Sequence, residues 1–203
     1  MSDSQSLTAA ETKSIIDTAN AMADAAREVI LPRFRSNSLV AENKSLHSFD
    51  PVTDADKDAE KVMISELKKR RPTDGIFGEE FGELNGESLY RWVLDPIDGT
   101  RAFIAGAPTW GVLISLERID TGPIFGVIDQ PYIGERFFGG LGLAEYKKRD
   151  ESIKLKTSNV EEIENAILLS TFPEIGTEKD LSLIHISEPT RPERISYAVF
   201  CVE

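Results

Sequence analysis

The chain has 203 residues, 40% of them hydrophobic, with 23 Lys and Arg against 35 Asp and Glu, a formal net charge of −12. That acidic balance argues against nucleic acid or an anionic membrane surface as a partner, so any anionic substrate has to be held by local devices. No run reaches the roughly 18 apolar residues of a membrane span and the N-terminus has no basic start followed by an apolar stretch, so a cytoplasmic protein is expected.

Ile15, Ala19, Met22, Ala26 and Ile30 recur at helical spacing and Pro32 stands where a helix would finish, which predicts a long first helix over residues 8–31. Residues 42–51 read as a loop or hairpin. Thr53 with Asp56 three positions on is a helix-start signal, and a second helix is predicted to run to Arg71 with Ala59, Met63 and Leu67 on its inner face. After Pro72 the chain becomes strand-rich. Residues 76–78, 90–94, 109–119, 123–128 and 135–138 are short β-branched or aromatic runs separated by Gly, Asp and Pro, and residues 122–145 read as successive antiparallel hairpins. Two long helices and a mainly antiparallel sheet make an α+β fold in one domain, with no linker or internal repeat.

The most informative stretch is Trp92-Val93-Leu94-Asp95-Pro96-Ile97-Asp98-Gly99-Thr100, an apolar strand that ends in two carboxylates, a glycine and a hydroxyl. Pro96 fixes φ and breaks the alternation that would aim Asp95 and Asp98 at opposite faces, so both carboxylates and the Ile97 carbonyl can address one place. Gly99 allows close backbone approach, and a short helix over residues 101–105 would turn free N–H groups towards an anion. With Glu79 and Glu80 upstream, and no His or Cys among them, this is an all-oxygen donor set suited to Mg²⁺. Taken alone, Asp-Pro-x-Asp-Gly is also an ordinary turn and paired glutamates an ordinary solvated loop. Asp54, Asp56 and Asp58 alternate like a calcium loop, but Ala59 and Ser65 stand where an EF-hand needs Gly and Glu. Asp56 serves as a helix-start cap on this reading.

Asp95-Pro96-Ile97-Asp98-Gly99-Thr100 behind an apolar strand, with Gly78-Glu79-Glu80 upstream, resembles the inositol monophosphatase superfamily of Mg²⁺-dependent, lithium-sensitive phosphatases, over residues 15–173. Residues 98–104, Trp110-Gly111 and residues 126–131 look most like its histidinol-phosphatase branch. The resemblance implies a layered αβαβα sandwich, two or three Mg²⁺ ions, and a metal site of Glu79, Asp95, the Ile97 carbonyl and Asp98. Glu79 would also orient the attacking water with Glu80 in support, and Asp56 would pair with the Thr100 hydroxyl to polarise that water. Gly99 and Thr100 would cradle the phosphate. Arg101 and Lys44 would contact substrate or phosphate, though each also reads as an ordinary surface residue. His47 is not needed as a base beside a metal-bound water.

The activity so implied is hydrolysis of a small phosphorylated metabolite by in-line attack of water, with L-histidinol phosphate favoured and a homodimer at full length. The alternatives are myo-inositol 1-phosphate and other sugar or nucleotide phosphates. From another class, the chain would be a non-catalytic metal- or phosphate-binding fragment.

The last segment reads differently. Residues 181–191 and 195–201 resemble the in-frame translation of a transposase-type DNA sequencing adapter, with Pro192-Glu193-Arg194 where a sample index would fall. Setting residues 181–203 aside as a non-native tail removes Cys201 and His185 and leaves 21 Lys and Arg against 32 Asp and Glu, a net charge of −11. A chain without cysteine has neither a disulfide framework nor thiol catalysis. The family supplies a further ligating aspartate from a Trp-Asp segment in a second half that this chain lacks. Residues 1–180 are therefore expected to be a truncated domain, inactive as given, with an apolar sheet face left open.

Overall fold

The computed structural model describes residues 7–37, 41–43 and 51–167. The chain divides into two units after Lys154. The first holds the fold. In the second, the described residues carry one short 3₁₀ turn, Ile163–Asn165.

Helix α1 spans Ala9–Ile30 and starts from a capping box in which Thr8 accepts from the Glu11 N–H while the Glu11 side chain accepts from the Thr8 N–H. Its predicted inner face, Ile15, Ala19, Met22, Ala26 and Ile30, is fully buried. Strands β1 (Ala41–Asn43) and β2 (Pro51–Thr53) pair antiparallel as a small hairpin. Helix α2 (Asp54–Arg70) follows at once, with Thr53 and Asp56 forming the expected cap box and Lys68, Lys69 and Arg70 complementing its carboxyl end.

The remaining strands are β3 (Gly75–Gly78), β4 (Gly82–Leu84), β5 (Tyr90–Asp98), β6 (Gly111–Arg118), β7 (Gly122–Gln130), β8 (Glu135–Gly140), β9 (Leu143–Lys148) and β10 (Glu151–Lys154). The short helix α3 (Thr100–Ile104) lies between β5 and β6. One eight-stranded sheet results, ordered β10-β9-β8-β7-β6-β5-β3-β4. Every pairing is antiparallel except β3 with β5. Sequence periodicity missed β4, β9 and β10. β9 and β10 are the outermost strands at one edge, and charged residues interrupt their few apolar ones, so they carry no apolar period.

α1 and α2 pack on each other and on the sheet, α2 against β5 and α1 against β6. Beneath them Trp92 and Leu94 of β5, Val112, Ile114 and Leu116 of β6, Phe125 and Val127 of β7 and Phe138 of β8 form the core. The alternate residues make the opposite face. There the pairing register sets Leu113, Ile128, Phe137, Tyr146 and Ile153 in one row across five strands. Ile128 and Ile153 are 39% and 52% exposed, in line with the apolar face expected from the sequence.

Candidate active site

β3 and β5 run parallel, so their carboxyl ends lie side by side and the residues that leave them meet. Glu79 follows β3 directly, and its N–H donates to the Leu94 carbonyl at 3.1 Å, one residue before Asp95. On β5 the register against β6 slips: Asp95 faces Leu113 and Asp98 faces Gly111, three steps on one strand against two on the other. This is a β-bulge at Pro96 and Ile97, both buried, and it breaks the alternation as the proline suggested. Gly99 then takes a left-handed conformation, φ 87°, from which α3 starts. A Cβ there would stand 2.9 Å from the Thr109 carbonyl oxygen, so glycine answers both the backbone angle and the close approach.

The carboxylates act on one another. Burial, then the charge of Glu79 and a hydrogen bond to it, then Asp98 and Asp56, push Asp95 up to about 8. Asp98 is open to solvent on one side, yet partial burial and then Glu79 hold its carboxyl above the usual range. Asp56 is raised too, first by burial, against the hydrogen bonds it accepts from Thr53 and with added repulsion from Glu80. The Asp95 Oδ1 is buried with no hydrogen-bond partner.

One sequence expectation changes here. Asp56 does not pair with Thr100: its Oδ2 accepts from the Thr53 N–H at 2.8 Å and the Thr53 hydroxyl at 2.5 Å, and the Thr100 hydroxyl donates instead to the Ile97 carbonyl at 3.0 Å. The reason is local. Thr53 sits three residues away in the same capping turn, and the helix start needs that carboxylate before any distant hydroxyl does. The Ile97 carbonyl, expected as a metal ligand, keeps one lone pair beyond the Thr100 bond.

Among the described residues, no three His, Cys, Asp or Glu side chains converge as a ready-made metal cage. The donor chemistry nonetheless fits a hard divalent cation: oxygen donors only, mutual repulsion, and one buried carboxylate oxygen with no hydrogen-bond partner.

Arg101 is exposed on α3, where it can meet a ligand. Its neighbours in the branch motif do other work. Phe103 and Trp110 are buried, pack edge to face with centroids 5.0 Å apart, and both rest on Phe34. That cluster anchors α3 from below, so Phe103 and Trp110 of the histidinol-phosphatase-like motif are core, while Arg101 is among its exposed residues. Lys44 and His47 lie outside the described residues, as do His185, Cys201 and the whole of residues 181–203.

Sequence reading passed over two fully buried acids. Glu60, on α2 one turn after Asp56, is fully buried and accepts from the Glu80 N–H (2.8 Å) and the Phe81 N–H (3.0 Å). Asp129 of β7 is fully buried, and its Oδ1 accepts from Arg27 and Arg136, each at 2.8 Å. A glutamate inside an otherwise amphipathic helix reads as surface from sequence alone. The one usable signal for Glu60 was its spacing of four from Asp56.

A sequence profile described as the inositol monophosphatase family matches residues 11–182. The chain is 39% identical over 123 residues to a histidinol-phosphatase of Streptomyces coelicolor, covering 59% of this chain and 45% of that one. It is 40% identical over 94 residues to an inositol-1-monophosphatase of Rhizobium meliloti, covering 43% of this chain and 35% of that one. Among solved structures, the extragenic suppressor protein suhB of Bartonella henselae aligns with a TM-score of 0.61 at 31% identity, over 75% of this chain and 56% of that one. The chain spans about half the length of the curated relatives it matches.

Proposed function

This chain belongs to the inositol monophosphatase family, and on that premise we propose that its parent protein is a Mg²⁺-dependent phosphate monoester hydrolase acting on L-histidinol phosphate. The observation that carries the reading is the group of mutually repelling carboxylates, Glu79, Asp95 and Asp98, at the ends of β3 and β5. Glu79, Asp95, Asp98 and the Ile97 carbonyl would hold the metal. When bound, Mg²⁺ supplies Lewis-acid polarisation of the phosphoryl oxygens and lowers the pKa of a coordinated water.

The rest falls to the chain's own groups. Glu79 accepts a hydrogen bond from the attacking water and orients its lone pair in line with the scissile P–O bond. Asp56, locked by Thr53, keeps negative potential beside Asp95 and acts at a distance from the water, which replaces the expected Asp56/Thr100 pair. The backbone N–H groups of Gly99 and Thr100 donate to the phosphate oxygens, and the bond from the Thr100 hydroxyl to Ile97 holds that turn in register. Arg101 selects the rest of the substrate, which favours L-histidinol phosphate through the branch motif it belongs to. Lys44 would contact the phosphate, as the resemblance implies.

The deciding measurement is phosphate release by the native full-length protein from L-histidinol phosphate and myo-inositol 1-phosphate, with and without Mg²⁺. Release that needs Mg²⁺ and favours histidinol phosphate in kcat/KM agrees with the proposal. A preference for myo-inositol 1-phosphate moves the protein to the other branch, and Mg²⁺ binding without turnover of any monoester makes it a binding protein.

A further inference from the structure

The loop that carries Glu79 is fastened at three successive backbone N–H groups. That of Glu79 bonds to the Leu94 carbonyl on β5, and those of Glu80 and Phe81 bond to the two carboxylate oxygens of Glu60, Oε2 and Oε1 respectively. Glu60 reaches them from beneath, and the chain makes room for it. A Cβ on Gly78 would fall 1.8 Å from Glu60 Oε1 and 2.5 Å from its Cδ, so the absent side chain at 78 is the space that the carboxylate occupies. Gly78 and Gly82 are paired across the base of this β3–β4 hairpin, leaving residues 79–81 as its tip.

We infer that Glu60 is a positioning residue for the metal site: its bidentate grip on the Glu80 and Phe81 N–H groups fixes the hairpin tip so that Glu79 stands beside Asp95. The inference rests on the proposed role of Glu79 and Asp95 as metal ligands. Geometry supports it in two ways. First, a fully buried carboxylate is a costly way to fill space, and an apolar side chain of like volume would serve packing as well or better. What such a side chain lacks is two acceptors at the spacing of consecutive amides. Secondly, Asp56 and Glu60 lie one turn apart on α2, so the same helix that places Asp56 near Asp95 also holds the far side of the Glu79 loop. One rigid element then sets the distance between both contributors.

The test is direct binding of Mn²⁺, as an EPR-visible substitute for Mg²⁺, to the chain and to its Glu60→Gln variant. It is accompanied by amide hydrogen exchange at Glu80 and Phe81 and by the metal-free melting temperature. Glutamine keeps one acceptor and turns a donor towards the other N–H. Expected are Mn²⁺ affinity at least about tenfold weaker, faster exchange at those two amides, and a melting temperature that stays close to wild type. Gly78→Ala, which displaces the same carboxylate from the other side, should reproduce the loss and guards against a folding defect in Glu60→Gln. Unchanged Mn²⁺ affinity in both variants overturns the role of Glu60. A melting temperature that collapses while the folded fraction binds Mn²⁺ as tightly as wild type also overturns it, and reduces Glu60 to a structural residue. If the unsubstituted chain binds no Mn²⁺, and Asp95→Asn therefore changes nothing, the failure lies with the metal-site reading, and the inference falls with it.

Discussion

Asp95 and Asp129 belong to one sheet, two strands apart, and both are withdrawn from water, but their surroundings differ. Asp129 is fully buried against α1 and is met by two guanidinium groups, Arg27 and Arg136, the second of which also bonds Asn20 and Asp24. Asp95 is surrounded by Glu79, Asp98 and Asp56, all of its own sign. A carboxylate used to tie a helix to a sheet is neutralised from within the chain. One left among its like is unstable on its own terms, and that instability becomes useful when a cation from solution enters. The first region is built for folding and the second at the expense of folding.

The comparison fails most visibly if Asp95→Asn in the native full-length protein spares activity. We expect kcat/KM to fall by about three orders of magnitude, ~4 kcal/mol of transition-state stabilisation. Retention of a tenth of wild-type kcat/KM would mean that the site has been misassigned. Next in size is Arg136→Met, which leaves Asp129 with half of its compensation. Urea unfolding should show a loss of about 3 kcal/mol, while Mn²⁺ affinity stays at the wild-type value. A matching loss of metal binding would show the two regions to be one.

A smaller effect has the opposite sign. Because the Asp95 pKa is raised to about 8 in the folded chain, its stabilising contribution is complete below the ordinary carboxylate range and disappears as pH climbs through about 8. Metal-free Asp95→Asn should therefore be more stable than wild type at pH 8.5, by about 1–2 kcal/mol, and much closer to it at pH 4. Saturating Mg²⁺ should narrow or reverse the gap at pH 8.5. An Asn variant that is less stable at every pH would place Asp95 with Asp129 among the structural acids. Smallest of all is deletion of residues 181–203, proposed to be a non-native tail, for which we expect a change of a few tenths of a kcal/mol in the same assay. A loss of several kcal/mol would make that segment part of the domain.

What could be read in the sequence follows the range of the forces involved. Both long helices were legible because Thr8 with Glu11 and Thr53 with Asp56 close their caps within one turn, and their buried faces repeat at 3.6 residues. The bulge at Pro96 was legible because proline acts on its own backbone. β9 and β10 were not, since they are fixed by pairing with strands already in the sheet and their few apolar residues, such as Tyr146 and Ile153, are mixed with charged ones. The same division runs through the site. Glu79 stands beside Asp95, with Asp98 in electrostatic reach, because two neighbouring strands end there, which a strand-then-acid pattern hints at. The Thr53 cap of Asp56 was legible at three residues, whereas the contact with Thr100, 44 residues away and implied only by the resemblance, is not made. The Glu60 bonds cross 20 and 21 residues and the Arg27–Asp129 bond crosses 102, with no local trace in either case, whereas Arg136 faces Asp129 across one hairpin, seven residues away.

The space at Gly78 has a consequence for how sequences of this kind can drift. Since Glu60 occupies the place where a side chain at 78 would begin, neither position is free to vary alone. A larger residue at 78 is open only to lineages that have already shortened residue 60, and a shortened residue 60 leaves the loop N–H groups unpaired until something else reaches them. An alignment of relatives should therefore show positions 60 and 78 changing as a pair or not at all, a correlation between a helix and a strand end that neither element's own propensities would produce.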